Sequence, residues 1–146
     1  MNEFLQYQAR MMRQLLGWAA VSAGIGVGLM QSQRALVFHF GGMTLAWALI
    51  NALIALFALR GVRQKASQNA DATTVQGWVR HLHKLLWLNF GLDVLYIAIG
   101  VGLVRWDTSN PMLVGFGWAV IVQGAFLLLF DGWHGWRVGK RFITQP

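Results

Sequence analysis

Three observations predict an all-α integral membrane protein built as a four-transmembrane-helix bundle: the order of its apolar runs, the scarcity of charge, and the lopsided placement of the charge that remains. The runs Leu15–Met30, Ala35–Leu59, Leu85–Val104 and Met112–Phe130 are separated by segments that hold nearly all the Lys and Arg. A bilayer core about 30 Å thick needs roughly 20 mostly apolar helical residues to cross it. In lipid every backbone N–H and C=O must be satisfied within the segment, so such runs become helices rather than strands. Apolar residues make up 56% of the chain and charged residues 12%, against about a quarter charged in an ordinary soluble domain. Spans are expected near 13–31, 35–59, 85–104 and 112–133, in one membrane domain covering 1–146, with the loop 60–84 between the second and third.

The formal charge of +7 would suggest nucleic acid in a soluble protein, but its distribution argues otherwise. Arg10 and Arg13 precede the first span. Arg60, Arg63, Lys65, Arg80 and Lys84 lie between the second and third, and Arg137, Lys140 and Arg141 follow the fourth. Only Arg34 and Arg105 fall on the other side. By the positive-inside rule, both termini and the 60–84 loop are expected in the cytoplasm, and the membrane is expected to be a bacterial inner membrane. Topology and anionic lipid then account for the charge, and no nucleic-acid partner is expected. Trp18, Trp47, Trp78, Trp87, Trp106, Trp118, Trp133 and Trp136 fall largely near span ends, where amphipathic indoles settle at headgroup level.

The first span is short, but the residues before it can extend its helix. No small-x-small cleavage site follows Met30, so it is expected to stay uncleaved. Its rows Ala20, Gly24, Gly28 and Ser22, Gly26 suit close helix packing within the chain, with a homodimer seam as the alternative. Gln31–Arg34 and Arg105–Pro111 are short links, so spans 1–2 and 3–4 should form two antiparallel hairpins. Asp107, Thr108, Ser109 and Asn110 before Pro111 mark the start of the fourth helix. In the long link, Gln64–Thr74 is polar and expected to be irregular. Val75, Trp78, Val79 and Leu82 then read either as a short interfacial helix or as an early start of span three.

The functional expectation rests on depth. With a rise of about 1.5 Å per residue, Asn51 and Asp93 lie about 12 Å in from the cytoplasmic side, and Ser22 and Gln123 within about a turn of them. Asn89, Asp93 and Tyr96 share one stripe of span three, and Thr44, Trp47 and Asn51 one stripe of span two. An Asp in hydrocarbon is costly and no Lys or Arg lies at its depth, so both stripes should face inward. The expected function is to bind, with or without translocation, a small ion or polar solute at a layer centred on Asp93, with Asn51, Asn89, Tyr96, Gln123, Ser22 and Trp47 around it. The alternatives are an accessory subunit or assembly factor whose polar layer specifies packing, and a membrane-embedded enzyme using Asp131 and His134. Expected partners are lipid, and either further copies of the chain or other membrane subunits.

Asp131, His134 and His81 form a weak candidate metal set near one interface, against which stands a salt bridge from Asp131 to Arg60, Arg80, Lys84 or Arg137. The absence of cysteine removes thiol-ligated metals and disulfides. Haem b would need two inward histidines, whereas only His39 could lie within a span. No phosphate loop, nucleophile elbow or zinc-protease pattern occurs, and no resident cofactor is specified.

Overall fold

The computed structural model describes residues 2–143 as four α-helices: α1 (Glu3–Leu29), α2 (Ala35–Ala66), α3 (Ala72–Trp106) and α4 (Pro111–Val138), the last continued by one π-helical turn, Gly139–Ile143. There is no strand among the described residues. Three helices are long and apolar enough to cross a membrane: α2, α3, and α4 with its extension. The first falls short, because Arg10, Arg13 and four glycines dilute its apolar content.

Side-chain caps begin three of the helices. Asn2 Oδ1 accepts from the Leu5 amide at 2.9 Å, Asp71 Oδ1 from Thr74 at 2.9 Å, and Asn110 Oδ1 from Met112 at 3.0 Å, with Pro111 pre-set for the first turn. The helices run beyond the apolar stretches at the termini end. Of the expected 60–84 loop only Ser67–Asp71 is non-helical, since nothing in Arg60–Ala66 breaks α2 and Asp71 starts α3 early. There is no separate interfacial helix. Val79, Leu82 and Leu86 continue one stripe of α3 and are buried against Phe4, Leu5, Tyr7 and Met11 of α1 and Val138 of α4, so the early-start reading describes Val75–Leu82.

The two hairpins form as expected: α1 lies against α2 and α3 against α4, and α2 meets α4 where the hairpins join. No comparable backbone approach links α2 to α3. At the hairpin end the helices touch backbone to backbone. A Cβ on Gly26 would stand 2.8 Å from the Gly41 carbonyl oxygen, one on Gly100 2.8 Å from that of Gly117, and one on Gly115 2.6 Å from that of Leu36. These crossings use glycine because no side chain fits between the backbones. Gly26 of the Ser22 row is therefore committed within the chain, whereas Gly24 and Gly28 meet nothing.

At the termini end large side chains separate the helices. Phe4, Tyr7 and Phe142 pack edge to face, Arg141 pairs with Glu3, and Gln76 Nε2 donates to the Phe142 carbonyl at 3.1 Å. Lys65 lies over Trp78 and Arg137 over Trp133, each cation held against an indole face.

Candidate functional site

Between α2 and α3 a cavity of about 280 Å³ opens over the half of the bundle nearer the termini. It is the space left because α2 and α3 each pack closely on α4 but approach one another only through side chains. All four helices send polar side chains to its lining, among them Gln8 from α1, Asn51 from α2, Asp93 from α3 and Asp131 from α4. Asn89 and Tyr96 add polar groups from α3, and the remaining lining is apolar, including Met11, Leu15, Trp47, Leu86, Leu127 and Phe130.

Asp93 is 2% exposed and Asp131 7%, and both carboxyls line this cavity, close enough to interact. Two neighbouring carboxyls repel when both are charged, so burying them together disfavours the doubly ionised state. Antiparallel helices make this meeting possible. Gly124 faces the Asp93 carbonyl, and Asp131 lies two turns farther along α4. Each side chain leans toward the N-terminus of its own helix, so the two carboxyls lean toward one another.

Asn51 is 1% exposed and its Nδ2 has no hydrogen-bond partner in the protein. Gln8 Oε1 and Asp93 Oδ2 are likewise buried without a partner. Orphaned polar atoms at burial this deep are uncommon and call for a physical reason. Trp47 and Tyr96 stand edge to face over the cavity, ring centroids 5.2 Å apart.

The expected single layer is thus two sets of residues. Asp93, Asn51, Asn89, Tyr96 and Trp47 line the cavity together, though Asn89 is exposed at its edge rather than turned inward. Ser22 and Gln123 do not line it. Gln123 Oε1 accepts from Trp18 Nε1 at 3.0 Å, and Gln123 Nε2 donates to Ser22 Oγ at 3.4 Å. This closed network, topped by the Trp18–Phe126 stack at 3.9 Å, ties α1 to α4. In their place the cavity takes Gln8 and Asp131. Gln8 lies before the apolar run of the first span, where no depth argument looks. Asp131 carries the one signal that could have found it: a carboxyl on the last span that, like Asp93, needs a partner.

The candidate metal set does not assemble. No group of three or more metal-ligating side chains occurs among the described residues. His81 is exposed, and His134 Nδ1 shares a 2.7 Å hydrogen bond with the Tyr7 hydroxyl, whose titration burial pushes above the usual phenol range. His83 is occupied as well, its Nε2 accepting from Trp87 Nε1 at 3.1 Å. The salt bridge from Asp131 to a neighbouring Arg or Lys is also absent among the described residues. Its carboxyl sits inside the bundle, while those cations extend outward to the surface.

A family model covers residues 14–132, and its description is a family of unknown function, DUF6992. The chain belongs to this family. The matched region holds Asn51, Asp93 and Asp131 and excludes Gln8 and the Tyr7–His134 bond. No curated protein and no solved structure matches the chain.

Proposed function

We propose that this member of DUF6992 is a four-span membrane protein that binds a small cation or polar solute at the Asp93–Asp131 pair. One observation carries the reading: a buried carboxyl pair facing a cavity lined by an unpartnered, fully enclosed amide, that of Asn51. An intramembrane carboxyl is costly to keep, and a purely structural layer is expected to close its hydrogen bonds as Gln123 does. Two neighbouring buried carboxyls suit a positive charge, a proton being the smallest.

In this reading α1 crosses the membrane as well, its glycine-rich half held by Gly26 against Gly41. Ten of the twelve Lys and Arg lie at the termini end, which favours termini in the cytoplasm of a bacterial inner-membrane protein and a basic face toward anionic lipid. Translocation would call for a second copy or another subunit, since the glycine crossings close the hairpin end. A reporter fused after Pro146, which lies outside the described residues, should be cytoplasmic, and one inserted near Ser109 should be on the far side. A C-terminus on the far side would overturn the orientation.

The site itself is tested by infrared pH titration of the protein in lipid nanodiscs. A protonated-carboxyl band that titrates in the wild type and vanishes when Asp93→Asn and Asp131→Asn are combined is the expected result. A titration untouched by that double variant would leave the pair structural and favour the accessory-subunit reading.

A further inference from the structure

The shape and chemistry of the cavity narrow the class of solute, an argument that rests on the cation-site reading above. The cavity has an apolar mouth. Ile50 and Ile54 of α2 and Leu85 and Leu92 of α3 line it and are also exposed on the outer surface of the bundle. A solute therefore enters sideways, between two helices whose outer faces are hydrocarbon, rather than from water.

A bare metal ion suits the cavity poorly. Hard cations take six or more oxygens in a tight shell, whereas about 280 Å³ walled mainly by Leu, Ile and Met side chains leaves most of the space without an oxygen. That volume lies near the lower limit of small-molecule pockets and accommodates on the order of ten non-hydrogen atoms. Trp47 and Tyr96 offer ring faces and edges to an organic cation.

The polar groups then specify its head. The carboxyl pair and Gln8 Oε1 are acceptors, which an ammonium N–H satisfies. Asn51 Nδ2 is a donor without a partner and needs an acceptor that an ammonium lacks. A hydroxyl oxygen next to the ammonium supplies it. We propose that the cavity between α2 and α3 binds an amphipathic amino alcohol from the lipid phase, its ammonium on Asp93 and Asp131, its hydroxyl on Asn51, and its apolar body toward Ile54 and Leu85.

The test uses the whole chain in nanodiscs and three probes by calorimetry: 2-amino-1-phenylethanol, 2-phenylethylamine and 2-phenylethanol. The amino alcohol should bind saturably, one molecule per chain, more tightly than the amine, and the neutral alcohol should not saturate. Asp93→Asn should weaken both amines by at least about thirtyfold. Asn51→Leu should weaken the amino alcohol about tenfold while leaving the simple amine nearly unchanged. Ile54→Trp, which fills the mouth, should abolish uptake, and the melting temperature of each variant shows whether the bundle is intact. Equal affinity for the two amines would overturn the amino-alcohol assignment, and equal affinity for the neutral alcohol would reduce the cavity to an apolar slot. Should the carboxyl pair titrate in the infrared while neither amine saturates, this inference fails and the cation-site reading stands. Should the pair not titrate, both fall.

Discussion

The two ends of the bundle solve the same packing problem in opposite ways. At the hairpin end, helices meet through glycine, with backbone against backbone and no room for a side chain at the crossings: Gly26 with Gly41, Gly100 with Gly117, Gly115 with Leu36 and Phe40. At the termini end, Phe4, Met11, Tyr7, Leu86 and Phe130 hold the helices apart, and α2 and α3 part far enough to leave a cavity. Dispersion gathers at short range and is forfeited across a gap, so the hairpin end is held by backbone contact, while the termini end is held by side chains and keeps a cavity. The polar groups follow the same division. Gln123, nearer the hairpin end, has both its amide atoms bonded, while Asn51, at the cavity, keeps a donor unused.

The comparison breaks most readily at a glycine crossing. Gly100→Leu places a Cβ 2.7 Å from Ile121 and 2.8 Å from the Gly117 carbonyl, and backbone cannot retreat as a side-chain tip can. The expected loss is about 3 kcal/mol or more in a reversible unfolding assay in mixed micelles. Gly24→Leu, with nothing nearby, should cost little. If Gly24 proves the more sensitive of the two, the close approach is not what holds this end.

Substitutions of Asp93 come next. Asp93→Leu removes the partner of the Asp131 carboxyl and should cost about 1 to 3 kcal/mol, whereas Asp93→Asn keeps a neutral hydrogen-bonding group and should leave the unfolding midpoint close to wild type. Solute binding should weaken at least about thirtyfold in both. Retention of binding by Asp93→Asn would assign the pair to packing.

A smaller effect is expected for Gln123→Leu, which strips Trp18 Nε1 and Ser22 Oγ of their partner. Membrane hydrogen bonds average about 0.6 kcal/mol, so a modest stability loss with unchanged solute binding is the outcome that keeps the two polar sets distinct. A binding defect as large as that of Asp93→Asn would merge them into one site.

The smallest effect is local and depends on pH. Asp71 is held below the ordinary carboxylate range by its hydrogen bonds to Thr74. A depressed folded-state pKa means that the cap stabilises the first turn of α3 above the ordinary carboxylate pKa and is lost as pH falls through the lower folded value. The protection factors of the Thr74 and Val75 amides, taken relative to the intrinsic exchange rate at each pH, should therefore fall on acidification, and in Asp71→Asn that fall should vanish. Protection at the Gly100–Gly117 crossing should not change.

Much of this was legible because long apolar runs leave a chain few choices of structure. Apolar runs, short links and the Asp107–Asn110 turn before Pro111 located four helices and two hairpins, and Asp93 and Tyr96 of the α3 stripe did come to one cavity, with Asn89 exposed at its edge. What was not legible turns on direction and reach. Depth counted along the backbone puts Gln123 nearer Asp93 than Asp131 is, but side chains lean toward the start of their own helix, and this lean joins two carboxyls from different backbone levels. The helix ends were likewise hidden. Nothing in the apolar pattern says that α1 begins at Glu3, well before its hydrophobic part, and so brings Gln8 to the cavity. Nor does residue type separate the satisfied amide of Gln123 from the unsatisfied one of Asn51.

The link Ser67–Asp71 is the sole covalent connection between the hairpins, and its own hydrogen bonds stay local: Ser67 Oγ donates to the Gln64 carbonyl at 2.8 Å, and Asp71 caps its own helix. What joins the hairpins is the meeting of α2 with α4, Trp18 and Ser22 on Gln123, and Tyr7 on His134. The chain is in effect a heterodimer written on one strand. Expressed as two pieces divided at Asn69, the halves should find each other in the bilayer and co-purify, and because Asp93 and Asp131 lie on one piece and Asn51 on the other, neither half alone holds the cavity.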